Sequence, residues 1–375
     1  MVSKAARFAA YGSQVRDNSA GAGNPGGAIY AADASTVCIM DNSLVSGNVA
    51  PQASGGAIAA LSNSVVVVGT GAAVADNTAA RLGGGVYLAT SSVTLSASGN
   101  VRANTAELSG GGIAAVARST VTLNNGLVEG NSARGSGGGL FVSSETGVTI
   151  FGGSRFARNS ALGAGGALAL VTPLAATVSL SGTELAGNSA PLGAGVAAVS
   201  STLFNDVIVV RSSVDFPRTA GDPPSDLATS SADVALSNVV FSSNTAARYG
   251  SALVACGVSV SISGAGSSFG SDDVMVCLPP SLDDSGFVPD RQSPAGLPWL
   301  WFDSEAWTSS GVSAHVATPP ARLAWSQRPD PVLQPGNPIA GSVVVADWFG
   351  AGIVDTRLQV MVELAAASAA AGVGA

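Results

Sequence analysis

The chain has 375 residues, of which 46% are hydrophobic and only 11% are charged, and its formal net charge is −8. This much apolar content allows a buried core, which argues against an intrinsically disordered polymer. The acidic balance, without a basic stripe, argues against nucleic acid as a partner, and no run of 18 strongly apolar residues predicts a membrane span.

The first residues, MVSKAARFAAYGSQV, lead almost directly into a repeat. They lack the apolar segment of a secretory signal peptide. We therefore expect a monomeric fragment of a longer protein, or the product of an incomplete gene model.

From here to about residue 278 the chain repeats with a period of about 28 residues. Each copy has an Asn, an Ala two residues later, and glycines followed by an apolar segment such as GGAIYA (26–31). The equivalent asparagines are Asn18, Asn48, Asn77, Asn104, Asn131, Asn159, Asn188 and Asn244. The step from Asn188 to Asn244 is twice the usual length and predicts a degenerate copy between them, with Arg218 in the Asn position. One step beyond Asn244 lies a tenth copy, with Asp272 in that position.

Each copy predicts short strands and tight turns, and no segment has a helical period. Before each Asn lies a segment of alternating apolar residues such as TVTL (120–123), as a strand with one buried face requires. The inward residues of this strand in four consecutive copies are Val93, Val121, Val148 and Val178. A period of about 28 residues is typical of one coil of a three-faced parallel β-helix. We predict an all-β fold: a right-handed, pectin-lyase-like parallel β-helix of about ten coils over residues 1–280, with a small C-terminal partial β-sandwich.

The repeated residues have a structural interpretation at the corners of such a coil. Glycine permits a positive φ and close backbone approach, and Ala fits where the tube is narrow. Asn tolerates the left-handed region and can bond local backbone, and stacked asparagines can bond each other along the axis. The alternative interpretation is that the asparagines bind a ligand.

Two of the three cysteines are predicted to pair. Aligning SALVAC (251–256) with DDVMVC (272–277) places Cys256 and Cys277 in the same position of successive coils. Stacked strands hold such Cα atoms about 4.8 Å apart, within disulfide range. Cys38 is expected to stay free, and the alternative is three unpaired thiols in a reducing compartment.

The remaining chain divides into three parts. Residues 281–325 are rich in Pro and Trp and predict a cap or linker at the end of the solenoid, or alternatively an aromatic platform for glycans. Residues 326–364 predict a partial immunoglobulin-like β segment, and residues 365–375 a disordered Ala/Gly tail.

The repeats resemble those of a known protein family. GGAI at 26–29 and 55–58, with FARN at 156–159 and FSSN at 241–244, resembles the GGA[ILV] and FxxN motifs of chlamydial polymorphic outer membrane proteins. Similar repeats occur in large surface proteins of green algae and other protists, which the Ala-rich tail and sandwich-like segment fit better. The resemblance implies a right-handed β-helix at the cell surface (the outer membrane if bacterial) or outside the cell, with an adhesive role and with glycans or other surface proteins as partners.

The rival class is an enzyme, because pectate lyases and related glycoside hydrolases share this fold, although a fold alone does not define a function. A glycosidase needs two carboxyl groups about 5–9.5 Å apart. The predicted outward positions after the glycines are Tyr30, Ala59, Tyr87, Ala114, Phe141, Ala169, Ala228, Val254 and Met275. On the next strand they are Cys38, Val66, Thr94, Thr122, Thr149, Ser179, Ile208, Ala235 and Ser261.

Neither set of outward positions contains an acid, and the single histidine, His315, lies outside the repeats. We therefore predict no catalytic residue, no metal site and no cofactor, and a non-enzymatic structural or adhesin-like protein. A polysaccharide-binding or polysaccharide-degrading β-helix is the alternative. The series Thr94, Thr122, Thr149 and Ser179 either reflects β-propensity or forms a hydroxyl array for contact with a glycan or with ice.

Overall fold

The computed structural model describes residues 1–143, 145–172, 176–200, 233–277 (except 257, 265, 271 and 273), 299–302, 314–315, 320–327 and 342–347. This part of the chain is all-β, and its parallel strands stack in successive coils to form a β-solenoid. The predicted fold class is therefore confirmed, while the right-handed sense of the coils stays a prediction.

A coil contributes strands to four parallel sheets, which we number in the order in which the chain visits them after each glycine corner. Sheet 1 follows the corner and consists of Ile29–Ala31, Ile58–Leu61, Val86–Ala89, Ile113–Val116, Leu140–Ser143, Leu168–Thr172, Val196–Ser200, Leu253–Cys256, Val274–Cys277 and Trp299–Phe302. Sheet 2 consists of Arg7–Tyr11, Thr36–Met40, Val65–Val68, Ser92–Ser96, Thr120–Asn124, Gly147–Phe151, Thr177–Ser181, Asp233–Ser237, Ser259–Ser263 and Ala314–His315.

The other two sheets are built from shorter strands. Sheet 3 consists of Gln14–Arg16, Leu44–Ser46, Ala73–Ala75, Asn100–Arg102, Leu127–Glu129, Arg155–Ala157, Glu184–Ala186 and Val240–Ser242. Sheet 4 consists of Val49–Ala50, Thr78–Ala79, Thr105–Ala106, Ser132–Ala133, Ser160–Ala161, Ser189–Leu192 and Thr245–Tyr249. The coil was expected from the sequence to have three faces, but sheet 4 adds a fourth. This fourth face is short, since most of its strands have only two residues.

One continuous core fills the solenoid. In sheet 2 the register pairs Val93 with Val121, Val121 with Val148 and Val148 with Val178, and all four side chains are buried. The predicted inward stack is therefore confirmed. These valines join apolar side chains of sheets 1 and 3 in a single cluster, so that alternate residues of each strand enter the core.

The glycines of each corner have two different physical roles. The first has a positive φ, for example +70° at Gly110 and +68° at Gly137. The second lies against the backbone of neighbouring strands: an ideal Cβ on Gly138 would be 2.3 Å from the Ser160 carbonyl oxygen and 2.5 Å from that of Gly166. A side chain at this second position would therefore displace backbone, which explains the recurrence of glycine.

Among the described strands, no degenerate coil is stacked between those that precede and those that follow residues 201–232. Thr177–Ser181 pairs directly with Asp233–Ser237 in sheet 2, and Val196–Ser200 pairs directly with Leu253–Cys256 in sheet 1. Residues 201–232, which include Arg218, lie outside the described part, but these pairings leave no place between them for another coil. The expected count of about ten coils is wrong in this respect, because an insertion of one period has the same length as a coil.

Two short strands continue the sheets beyond the repeats. Trp299–Phe302 pairs antiparallel with Val274–Cys277, and Ala314–His315 pairs antiparallel with Ser259–Ser263. Pro320–Gln327 and Ser342–Asp347 form a separate antiparallel pair. Pro320–Gln327 crosses the predicted boundary at 325/326 between the cap or linker and the immunoglobulin-like segment. The rest of the predicted sandwich and the tail at 365–375 lie outside the described residues.

Candidate functional site

The repeated asparagines lie at the corner between sheets 3 and 4. Asn104 is typical: its backbone N–H and its Nδ2 both donate to Oδ1 of Asn131, each at 3.0 Å, and Nδ2 also donates to the Val74 carbonyl at 3.0 Å. Its own Oδ1 accepts from the N–H and the Nδ2 of Asn77. The side-chain amide thus uses both donors and both acceptor positions, so the predicted bonding along the axis is confirmed.

The same pattern runs through Asn48, Asn77, Asn104, Asn131, Asn159 and Asn188, all of them fully buried. Nδ2 of Asn188 donates to Oδ1 of Asn244 at 2.9 Å, although the two residues are 56 apart in sequence. The ladder therefore passes directly from Asn188 to Asn244, and Arg218, which was predicted to lie between them, is outside the described residues. Asn244 in turn donates to Oδ2 of Asp272, through N–H at 3.0 Å and Nδ2 at 2.6 Å. A carboxylate accepts but does not donate, so it suits this position at the end of the ladder.

One expectation for the asparagines is wrong. The residue before each Asn, not the Asn itself, has the positive φ: +57° at Asp76, +54° at Ala103 and +62° at Gly130. The backbone turns one residue earlier, and the amide is then directed along the solenoid axis. Apart from Asn18 in the first coil, which is exposed, these asparagines are buried, and all of them bond to a neighbouring coil, which supports the structural interpretation of the corner.

A second ladder, which the sequence analysis missed, lies at the corner between sheets 1 and 2. The backbone N–H groups of Ser35, Ser64 and Ser91 donate to Oγ of the serine in the next coil, at 3.1–3.3 Å. Each hydroxyl in turn donates to a backbone carbonyl of its own coil, such as that of Leu61 for Ser64, at 2.7 Å. The signal was present: a serine comes directly before the sheet 2 strand in four successive copies, at Ser35, Ser64, Ser91 and Ser119.

The outward positions of sheet 1 are not exposed, contrary to expectation. Ala59, Ala114, Phe141 and Ala169 are buried, and a small apolar cluster that includes Leu82 from the loop before the glycines covers part of this row. The register continues from Ala169 to Ala197 and then directly to Val254, whereas the predicted member Ala228 lies outside the described residues. Burial raises the pKa of Tyr87 in this cluster, against a smaller opposite effect of Arg81.

Sheet 2 has three outward rows, and the register corrects the predicted one. Cys38 pairs with Val67, whereas Val66 is buried in the core. Ser179 pairs directly with Ala235, and the predicted member Ile208 lies outside the described residues. The predicted order Thr94, Thr122, Thr149 and Ser179 is confirmed. We call the outward positions of these four strands the hydroxyl face: Ser92, Thr94, Ser96, Thr120, Thr122, Asn124, Gly147, Thr149, Phe151, Thr177, Ser179 and Ser181.

The hydroxyl face differs from the corners in its hydrogen bonds. Nine of its twelve residues are Ser or Thr, and all twelve are exposed or half-buried. Their side chains make no hydrogen bond with the described protein, whereas the corner serines bond to backbone. The face contains no ionisable residue, and the ion pair of Arg118 with Glu145 lies at the turns that lead into it. A hydrogen bond from Arg118 holds the pKa of the Glu145 carboxyl below its usual value.

Other charged residues pair on the opposite side of the coil, on sheets 3 and 4 and their turns. Arg134 pairs with Glu107 and Arg155 with Glu184, both at 2.9 Å, and Arg158 pairs with Glu129. Each pair joins neighbouring coils. These three ion pairs lie on sheets other than sheet 2, and the pair nearest the hydroxyl face is Arg118–Glu145 at its edge.

The remaining candidate residues are scattered. Cys38 is a half-buried free thiol, as expected, and the register places Cys256 opposite Cys277, as the alignment predicted. Their side chains lie outside the described part, so the disulfide stays a prediction. His315 pairs with Ser261 through the backbone. Among the described residues, no group of three or more His, Cys, Asp or Glu side chains could hold a metal ion, and no helix is long and apolar enough to cross a membrane.

No family model matches the chain, and neither the curated proteins nor the solved structures contain a match. The class of the molecule, a parallel β-solenoid, is therefore defined by its own strand pairing.

Proposed function

We propose that the chain is a non-enzymatic structural or adhesin-like rod of a cell surface or extracellular layer. The observation that supports this role is the use of its repeated polar residues. The asparagines of one corner and the serines of another bond coil to coil, and the ionic side chains of Arg134, Glu107, Arg155 and Glu184 do the same on the outside. A chain organised in this way makes a stiff spacer that presents a long surface.

The resemblance of the GGAI, FARN and FSSN motifs to repeats of surface proteins supports the proposed location. The structural or adhesin-like role is inferred from the repeats, and the cell-surface or extracellular location from the resemblance of their motifs to those of surface proteins. Glycans or other surface proteins are the proposed partners, and the role needs no cofactor or metal.

Two measurements test the proposal. Antibodies against the solenoid should label intact, unpermeabilised cells that produce the protein, and labelling only after permeabilisation would contradict the location. Incubation of the purified chain with polysaccharides, followed by reducing-end and unsaturated-product assays, should give no products. Product formation by the chain would instead favour the polysaccharide-degrading alternative.

A further inference from the structure

We propose that the hydroxyl face of sheet 2 binds a neutral polysaccharide. The inference deepens the proposed surface role by naming a partner class and the face that takes it. It is carried by the contrast between hydroxyls that the fold uses and hydroxyls that it leaves available. Ser64 and Ser154, at corners, each donate to a backbone carbonyl, at 2.7 Å and 2.6 Å. Thr94, Thr122 and Thr149 have no such partner in the part of the chain that the structure describes.

The face is regular in two directions. Neighbouring strands are about 4.8 Å apart, and alternate residues of a strand are about 6.7 Å apart. The register keeps Thr94, Thr122 and Thr149 in one line across three coils. A polymer that repeats its own hydroxyls at regular intervals can make the same contact in each coil, so that weak contacts add up along the chain.

The side chains suit such a ligand because they are already ordered. Threonine is restricted at χ1, so fixing its hydroxyl on binding costs little conformational entropy. Each hydroxyl both donates and accepts, as the hydroxyls of a sugar do. Phe151, the last residue of its strand on the same face, is 37% exposed and provides an apolar ring for the C–H face of a sugar.

Charge selects the occupant. The twelve positions of the face have no ionisable side chain, and the protein has a formal net charge of −8. An anionic polysaccharide would find no cation on the face itself and would be repelled by the molecule as a whole. An uncharged polysaccharide meets neither obstacle, and its binding should persist at high salt because no ion pair is involved.

The test is co-sedimentation of the purified chain with insoluble β-1,4-glucan, β-1,3-glucan and β-mannan, and affinity electrophoresis with sodium polygalacturonate. We expect retention on at least one of the neutral polymers that persists in 1 M NaCl. The combined variant Thr94→Val, Thr122→Val, Thr149→Val should weaken it about tenfold or more, because it removes three hydroxyls while keeping the β-branched shape. Phe151→Ala should weaken it separately.

The matched control is Thr105→Val on sheet 4, a half-buried threonine on a different face. It should bind as the wild type does, and Thr122→Ser should retain most of the binding. Circular dichroism and urea unfolding of every variant show that the coils are intact. A long oligosaccharide of the retained polymer should compete, and the free monosaccharide should not.

Several results would overturn the proposal: no retention on any neutral polymer, equal retention of the triple variant, retention on polygalacturonate alone, or a face that instead shapes ice crystals or pairs two copies of the chain. The outcome is separable from the location. Binding by a protein that is absent from the surface would leave the face assignment intact and refute the proposed role. Surface labelling without polysaccharide binding would refute the face assignment and leave the proposed surface role intact.

Discussion

The asparagine corner and the hydroxyl face are both lines of polar side chains repeated once per coil, yet they have opposite environments. At the corner, Asn104 is fully buried, and its amide bonds to both neighbouring coils. On the face, Thr122 is half-buried, and its hydroxyl has no hydrogen-bond partner among the described residues. Repetition by itself therefore does not distinguish a polar ladder that holds the fold together from one that is available to a ligand. Burial and hydrogen bonding make that distinction.

The largest difference in stability should be between the same substitution made at two neighbouring residues of a sheet 2 strand, one inward and one outward. Val121 is buried between Val93 and Val148, so Val121→Asp would place a carboxyl group in the core without a partner. We expect a loss of unfolding free energy of about 5 kcal/mol, measured by urea unfolding. Thr122→Asp, on the hydroxyl face, should cost less than about 1 kcal/mol. Equal losses would mean that the inward register is wrong.

A comparison of two asparagines tests the corner against the face directly. Asn131→Ala leaves the backbone N–H and one Nδ2 donor of Asn104 buried without an acceptor, and should cost about 3–4 kcal/mol. Asn124→Ala removes an exposed amide of the hydroxyl face and should change the free energy of unfolding by less than about 0.5 kcal/mol. Denaturant midpoints of the two variants measure the difference. A corner loss below about 1 kcal/mol would show that the ladder is dispensable.

Two glycines sharpen the comparison at the level of the backbone. Gly138→Ala would place a Cβ 2.3 Å from the Ser160 carbonyl oxygen, and should cost about 3 kcal/mol as the corner is forced apart. Gly147, on the hydroxyl face, has only Thr177 Oγ1 near an added Cβ, at 3.9 Å. Gly147→Ala should therefore be neutral or stabilise by up to about 1 kcal/mol, since Ala is less flexible in the unfolded chain. Thermal melts of both variants are the measurement, and a destabilised Gly147→Ala would show that the face is more crowded than the backbone indicates.

The smallest expected effect concerns sheet 1, at the last of the parallel coils. If Cys256 and Cys277 are joined, the bond closes a loop of about 20 residues and should add about 2–3 kcal/mol of stability. Alkylation without prior reduction, followed by mass spectrometry, should modify Cys38 and leave the other two unmodified. Protein from an oxidising compartment with all three cysteines alkylated would refute the bridge.

The sequence predicted the fold well because each residue type suits one position in the coil. Alternating valines predicted the inward rows of sheet 2, and the spaced asparagines predicted a corner ladder, which the structure confirms residue by residue. It was less successful for the outward side of sheet 1, where Ala59 and Ala114 are buried. An alternating pattern identifies the two faces of a strand but not whether the outer one is covered by a loop.

The corner serines show the same limit from the other direction. Ser64 and Ser91 hold the same position in successive repeats, yet a serine is common in turns and its presence does not indicate its hydrogen-bond partner. Only the stacking of coils reveals that each hydroxyl accepts from the backbone N–H of the serine in the preceding coil and donates to a carbonyl of its own coil.

What the sequence by itself determined is most of the register: which residues of a coil point inward, with Val66 as an exception, where the corners lie, and that Cys256 stands opposite Cys277. These follow because backbone geometry, side-chain size and hydrophobic period act locally in each copy. What only the tertiary structure decided is which segments stack. Asn188 bonds to Asn244 across an insertion that is one period long. Spacing alone cannot distinguish such an insertion from a coil, because only the hydrogen bonds between stacked strands show which copies are neighbours.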